Sequence, residues 1–224
     1  MNKVFIGYDE GEKIAYYVLA ESIRKYASKP VSIIPVALSG LRNTPFQRQK
    51  QKNQSTEFAF SRFLVPYLSD YKGWSLFMDC DMMVRNDINE VFKLAEEKYA
   101  VMCCQHNYEP KTSIKFRGAV NQTFEKKNWS SFMLINNKQC RTLTPEYVNT
   151  KSGLELHQFK WLHNDHQIGA LPLEWNWLVD EYDYNPEAKN VHFTLGGPYF
   201  KDYKDCDYSD EWFNIYEDLT KIDL

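Results

Sequence analysis

Two aspartates separated by a cysteine, Asp79-Cys80-Asp81, follow the apolar run Trp74-Ser-Leu-Phe-Met78. In an extended chain, residues two apart project to the same side, so both carboxylates would face one crevice. At the carboxyl end of a buried strand, that crevice is where open α/β sheets take their ligands. Two converging carboxylates repel each other unless a cation or basic group compensates them. An oxygen pair suits Mg²⁺ or Mn²⁺ rather than zinc. The tripeptide alone decides little, because Asp205-Cys206-Asp207 repeats it in a polar stretch rich in Tyr, Lys and Asp. No strand pattern precedes that copy, which reads as surface loop.

His192 is the histidine that could join the pair. It heads Phe-Thr-Leu-Gly196-Gly197-Pro198, a strand-like run breaking into glycines. An imidazole can complete a Mn²⁺ shell, and paired glycines let backbone N–H groups approach phosphate oxygens. His157, His163 and His166 cluster in sequence, but no Cys or Glu stands at matching spacing, which argues against zinc. Asp9 closes the first apolar run, where it could cap a helix through Asp9-x-x-Glu12.

These residues need a sheet to hold them. Lys3–Gly7 reads as the first strand, followed by a helix to about Tyr26 with Ile14, Val18 and Ile23 at helical spacing. Val31–Leu38 reads as a second strand, with Pro35 pointing to an edge or a bulge. Ser55 and Thr56 could cap a helix carrying Phe58, Arg62 and Phe63 that ends or kinks near Pro66. Trp74–Met78 is the expected central strand. A helix from Asp87-x-x-Glu90 to about Glu97, strands at Tyr99–Cys104 and Phe132–Ile135, and a helix from Ser209 complete the reading. Strands alternating with helices predict an α/β fold, a mostly parallel central sheet flanked by helices.

The 224 residues suit a single domain spanning 1–224. A net charge of −3 provides no basic field for nucleic acid. Arg42, Arg48, Lys50 and Lys52 do cluster, but glutamines interleave them and the stretch reads as a solvated loop. Five cysteines without CxxC spacing argue against a disulfide framework. The longest apolar run is far too short to span a bilayer, and the N-terminal residues enter a strand pattern without signal-peptide architecture. The expectation is a cytoplasmic protein with no transmembrane segment.

The run Ser55-Thr-Glu-Phe-Ala-Phe-Ser-Arg62-Phe-Leu-Val-Pro66, then Leu76-Phe-Met-Asp79-Cys-Asp81, then Asp87-Ile-Asn-Glu-Val-Phe92 resembles the core of family 8-type glycosyltransferases with the Rossmann-like GT-A fold. The resemblance runs with gaps from the first strand to about Phe200. It implies that Asp79, Asp81 and His192 bind a divalent cation, usually Mn²⁺, that bridges a donor diphosphate. Arg62 would lie near the diphosphate or support the aspartates. Tyr8 could stack on the nucleotide base, and Asp9 could accept its imino proton or simply cap the helix. Ser130 and Ser131 correspond to the strand contacting the donor sugar. Asn164-Asp165-His166-Gln167, followed by Leu171-Pro-Leu-Glu-Trp-Asn176, is similar to the stretch that places Asp165 and Gln167 beside the anomeric carbon. The segment from His192 is similar to a His-x-x-Gly-x-x-Lys-Pro-Trp ending, but Gly197 replaces the phosphate-binding lysine and Tyr199 the tryptophan. Lys201 or Lys204 could substitute for that lysine, beside Gly196 and Gly197. The resemblance implies hexosyl transfer with retention from a nucleotide sugar, UDP before GDP, to a glycan, lipid or protein acceptor. A sugar nucleotidyltransferase and a non-catalytic carbohydrate-binding module are the competing readings; the acidic Tyr8–Lys13 stretch disfavours the first.

Overall fold

The structure, a computed structural model, describes residues 1–49, 54, 56–115, 118, 121 and 123–221. Its frame is set by short apolar strands. β1 (Asn2–Gly7) pairs in parallel with β2 (Val31–Val36) on one side and β3 (Trp74–Met78) on the other. β6 (Phe132–Asn136) runs antiparallel between β3 and β5 (Val101–Cys104), and β7 (Ile168–Leu171) closes the sheet parallel to β5. The order is β2-β1-β3-β6-β5-β7, a mostly parallel sheet with one reversed strand. Pro35 is tolerated because β2 is an edge strand that needs no donor on its outer side.

β3 lies between β1 and β6, and its Leu76, Phe77 and Met78 have no exposed surface. Burying each contributes about 1.5–3 kcal/mol. The first helix, α1 (Lys13–Tyr26), enters through a 3-10 turn at Glu10–Glu12, where the Asp9 carboxylate accepts from Gly11 N. The capping expectation for Asp9 therefore holds. Arg24 and Lys25 sit in the last turn of α1, complementing the helix dipole. Its Ala15, Leu19 and Ile23 pack into the main core, while Val18 joins a second core.

That second core lies under a smaller sheet. β4 (Met82–Val84) pairs antiparallel with β9 (Asn190–His192), which pairs in parallel with β8 (Trp177–Leu178). α6 (Ser209–Thr220) covers it with Trp212 and Ile215. The Val84 N–H donates to the Ser22 hydroxyl, tying β4 to α1.

Several boundaries differ from expectation. The helix carrying Arg62 is a 3-10 turn, Ser61–Leu64, followed by α2 (Val65–Leu68), in which Pro66 occupies the first turn instead of ending the element. Ser55 lies outside the described residues. α3 is only Asn89–Lys93 and stops short of Glu97, since Leu94, Glu96 and Glu97 offer no inward face beyond it. His192 ends β9 and does not open a strand. In the basic stretch Arg42 is exposed, as a solvated loop requires, but Arg48 is not: its guanidinium donates to the carbonyls of Val148 and Lys151 and lies 3.4 Å from the Phe60 ring centroid. It pins that loop to the end of α4 (Pro145–Thr150). Lys50 and Lys52 lie outside the described residues. No helix among the described residues is long and apolar enough to cross a membrane.

Candidate metal and diphosphate site

β3 delivers Asp79 and Asp81 together. The Asp79 N–H donates to the Ser131 carbonyl at 2.9 Å and extends the antiparallel ladder by one step past Met78. Cys80 is buried in the main core, so the flanking carboxylates emerge opposite it, as the alternation predicts. The second sheet supplies the third group. Met82 stands opposite His192 in the β4–β9 register, and Phe193 N donates to the Asp81 carbonyl. This places one ligand atom each from Asp79, Asp81 and His192 within 4.8 Å of one another.

Arg62 is buried at 5% exposure and faces this cluster, where it pairs with Asp79. Its guanidinium lies 2.7 Å from Asp79 Oδ1, donates to the Ser130 carbonyl at 3.0 Å, and sits 5.2 Å from the ring centroids of Phe58 and Phe77. Burial lifts the Asp79 carboxyl to about 6; Arg62 opposes the rise and the neighbouring Asp81 charge adds to it. Burial also pushes Asp81 upward, but the neighbouring His192, its hydrogen bond and the Lys115 charge outweigh that effect and hold Asp81 below the usual carboxylate range.

A hydrogen-bond chain fixes the imidazole. The Ser131 hydroxyl donates to the Asn128 carbonyl at 2.6 Å, which leaves its oxygen to accept from Asn176 Nδ2 at 2.9 Å. The amide is thereby oriented with Oδ1 toward His192 Nδ1, 3.0 Å away. An amide oxygen only accepts, so Nδ1 carries a hydrogen and Nε2 is the nitrogen left to take either a proton or a metal. Nε2 faces Asp81 Oδ1 at 3.3 Å. Only a proton or a cation between them relieves the repulsion. Asp79 Oδ1 and Asp81 Oδ1 are, in addition, shut off from solvent without a hydrogen-bond partner in good geometry. Two carboxylate oxygens and one imidazole nitrogen therefore fit a divalent cation. Replacing Asn176 with alanine is expected to weaken Mn²⁺ binding about 10- to 100-fold, measured by titration calorimetry, because the ring loses its tautomer and aim.

The remaining expected site residues fall into three groups. Tyr8 follows β1 and meets Tyr16 edge to face at 5.4 Å, while Asp9 is buried and its second oxygen accepts from Glu57 N. Ser130 and Ser131 form a 3-10 turn before β6, with both hydroxyls engaged inside the protein, Ser130 with His157 Nδ1 at 2.7 Å. Gly196 and Gly197 are buried beyond His192. Gly196 has φ +151°, and a Cβ there would stand 2.5 Å from the Tyr203 ring. Its N–H donates to the Phe193 carbonyl.

Asp165 and Gln167 lie in a 3-10 turn leading into β7. Both Asp165 oxygens accept from Lys126 Nζ at 2.9 Å, and the Gln167 side-chain oxygen accepts from His163 N. His163 and His166 are exposed, whereas His157 turns inward to Ser130, so the three do not converge. Asp205 and Asp207 sit in the turns before α6, as expected of the control tripeptide. Sequence reasoning missed Asn176 as the support of His192, Lys126 as the partner of Asp165, and Lys115, whose charge acts on both aspartates. The Trp-Asn pair at 175–176 was a visible motif; the lysines left no signal.

No family model matches the sequence. Among solved structures the chain is similar to the bifunctional glycosyltransferase WbbM (TM-score 0.67, 14% identity), covering 99% of this chain and 50% of that one. It thus spans half the length of WbbM. It is also similar to the galactosyltransferase LgtC solved with donor and acceptor sugar analogues (TM-score 0.62, 12% identity, 98% and 97% of the two chains). A third likeness is to the glycosyltransferase GlyE of Streptococcus pneumoniae TIGR4 (TM-score 0.59, 13% identity, 96% and 59%). At these identities the likeness establishes the fold, the α/β GT-A arrangement of glycosyltransferases. Among curated proteins, Protein CDI of Arabidopsis thaliana is 46% identical over 227 residues, covering 98% of this chain and 87% of that one. With that identity sustained along nearly its whole length, the chain belongs to the family of Protein CDI.

Proposed function

We propose that residues 1–224 form one glycosyltransferase domain that moves a hexosyl group from a nucleotide sugar, UDP-linked before GDP-linked, to a glycan, lipid or protein acceptor, with retention at the anomeric carbon. The observation that carries this reading is the convergence of His192 Nε2, Asp81 and Asp79, with their ligand atoms within 4.8 Å of one another, in a fold shared with glycosyltransferases. A divalent cation held there would neutralise charge developing on the diphosphate as the anomeric C–O bond breaks.

The chain's own groups set up the rest. Arg62 fixes Asp79 and, through the Ser130 carbonyl, the turn before β6. Ser131 and Asn176 hold His192 in the tautomer a ligand needs. Tyr8 would offer a ring at the end of β1 for the base, Asp9 follows it in sequence, and the backbone of Gly196 and Gly197 would approach the phosphates. Asp165, oriented by Lys126, and Gln167 are assigned to the face of the anomeric carbon.

The test is turnover of a panel of nucleotide sugars with Mn²⁺ or with EDTA, read as nucleoside diphosphate released. One donor is expected to turn over, by slow hydrolysis if no acceptor is present, and EDTA is expected to remove the activity. Absence of both turnover and Mn²⁺-dependent nucleotide binding across the panel would sink the reading.

A further inference from the structure

Gly197 stands where the phosphate-binding lysine is expected, and Lys201 and Lys204 are exposed on the 3-10 turn Lys201–Tyr203 and just after it. The segment beyond His192 is instead built to hold its backbone still. It forms two consecutive turns. Gly196 N donates to the Phe193 carbonyl and Phe200 N to the Gly197 carbonyl, each at 2.9 Å. Residues 193–198 are buried, so these turns are folded into the body and do not stand over it.

Tyr199 joins the turns to the rest of the chain. Its ring packs against both hydrophobic cores, 5.6 Å from the Trp212 ring on α6. A Cβ on Gly197 would run into the Tyr199 ring, so the glycine is what lets backbone and ring meet. The Tyr199 hydroxyl donates to Glu12 Oε2 at 2.7 Å. The acceptor carboxylate is only 2% exposed and belongs to the turn that Asp9 caps, where Glu12 N donates to the Asp9 carbonyl at 3.0 Å. A hydrogen bond to an ionised acceptor is stronger than one between neutral groups, and removing the donor leaves a desolvated charge less well satisfied.

This bond spans 187 positions and connects two places that the proposed function assigns to different parts of one ligand. The Tyr8–Glu12 stretch follows β1, on the side proposed for the base, and Gly196 and Gly197 are proposed for the phosphates. We infer that Tyr199 is a positioning residue: its hydroxyl, latched to Glu12, holds the segment 193–200 folded in before any ligand arrives, so that the diphosphate meets a preformed turn. The inference rests on the proposed nucleotide-sugar reading and adds to it how the phosphate turn is held. A backbone already ordered loses less conformational freedom when the ligand binds, so the latch contributes to affinity without touching the ligand.

Calorimetric titrations with Mn²⁺ alone, and with pyrophosphate, UDP and GDP in saturating Mn²⁺, test this in the wild type, Tyr199→Phe and Tyr208→Phe. Tyr208 is the comparison because its hydroxyl is also bonded inside the protein, at 2.8 Å to both the carbonyl and the N–H of Asn185, and its ring lies in the second core. Tyr199→Phe is expected to bind pyrophosphate and its nucleoside diphosphate at least about 10-fold more weakly, while binding Mn²⁺ alone within about 3-fold of the wild type. Tyr208→Phe is expected to lose thermal stability but to stay within about 3-fold for every ligand. Unchanged diphosphate affinity in Tyr199→Phe overturns the inference, as does an equal loss of Mn²⁺ binding or the same loss in Tyr208→Phe. A wild type that binds pyrophosphate but neither UDP nor GDP overturns the nucleotide-sugar reading, and the pyrophosphate titrations then decide the role of Tyr199. A wild type that binds none of the three overturns both. Hydrogen exchange on the unaltered chain covers a Tyr199→Phe protein that does not fold. Without ligand, the amides of residues 193–197 are expected to exchange at least about 100-fold more slowly than in an unstructured peptide. Exchange at the unstructured rate until Mn²⁺ and pyrophosphate are added would reveal a turn that folds over the phosphates, and would contradict the latch.

Discussion

Asp81→Ala is expected to lower nucleoside diphosphate release about 100-fold or more and to abolish Mn²⁺ binding in titration calorimetry. Asp81 is the carboxylate that faces His192 Nε2, and nothing else among the described residues occupies that position. Removing it also removes the repulsion that a cation relieves, so the variant is expected to keep its thermal stability without metal. That combination, lost function with retained fold, distinguishes a ligand from a packing residue. Asp79→Ala is expected to lose binding too, but not to be thermally neutral, because it leaves the buried Arg62 unpaired. The same pair of aspartates sets a pH dependence. Asp79 holds its proton up to about 6, so a cation must displace that proton below this value. Mn²⁺ affinity is therefore expected to fall about tenfold per pH unit as pH drops below 6, and to level off above it. A pH-independent affinity between 5 and 7 would remove Asp79 from the ligand set.

Arg62→Met carries the second large effect, this time on stability. The guanidinium is the fixed positive charge in contact with Asp79, and its loss leaves a buried carboxylate without compensation. Breaking one side of a buried pair costs about 3–5 kcal/mol. For a chain of this size that lowers Tm by roughly 10 °C. Two features make the expectation specific. First, Mn²⁺ is expected to restore much of the loss, since a cation at the cluster replaces the missing charge; binding at 100 times Kd contributes about 2.7 kcal/mol. Second, Arg62→Met combined with Asp79→Asn is expected to be more stable than Arg62→Met alone, because no buried charge is left unpaired. Scanning calorimetry of the two single variants and the double variant decides this. Additive losses would show that Arg62 acts through packing against Phe58 and Phe77 and not through Asp79.

What the sequence disclosed follows from the range of the interactions involved. β3 and its two aspartates were legible because a buried strand and its alternation are local properties, written in eight consecutive residues. Pro35 marked an edge strand for the same reason. Arg62 was legible as a site residue through its position before the strand, yet its partner was open between diphosphate and aspartate; the contact joins residues 17 apart and only the folded chain chooses. Tertiary contacts hid the rest. Asn176 reaches His192 because β8 pairs with β9, a register that neither short strand announces. Lys115 and Lys126 act on residues 34 and 39 positions away, from a segment with no regular pattern. α3 was read too long because Asp87 and Glu90 mark a helix start, while its end depends on where the inward face runs out. The strand-like run after His192 was legible as a run, but the glycines are held by the rings of Tyr203 and Tyr199, which could not be placed from sequence.

The central claim is that Asp79, Asp81 and His192 hold one divalent cation that meets a nucleoside diphosphate. Crystals grown with Mn²⁺ and UDP, measured at the manganese absorption edge, test it most directly. The account predicts a single strong anomalous peak within bonding distance of a carboxylate oxygen from each aspartate and of His192 Nε2, with the diphosphate oxygens completing the shell. An anomalous peak elsewhere, or nucleotide bound away from the end of β3 with no manganese between the aspartates, would contradict it.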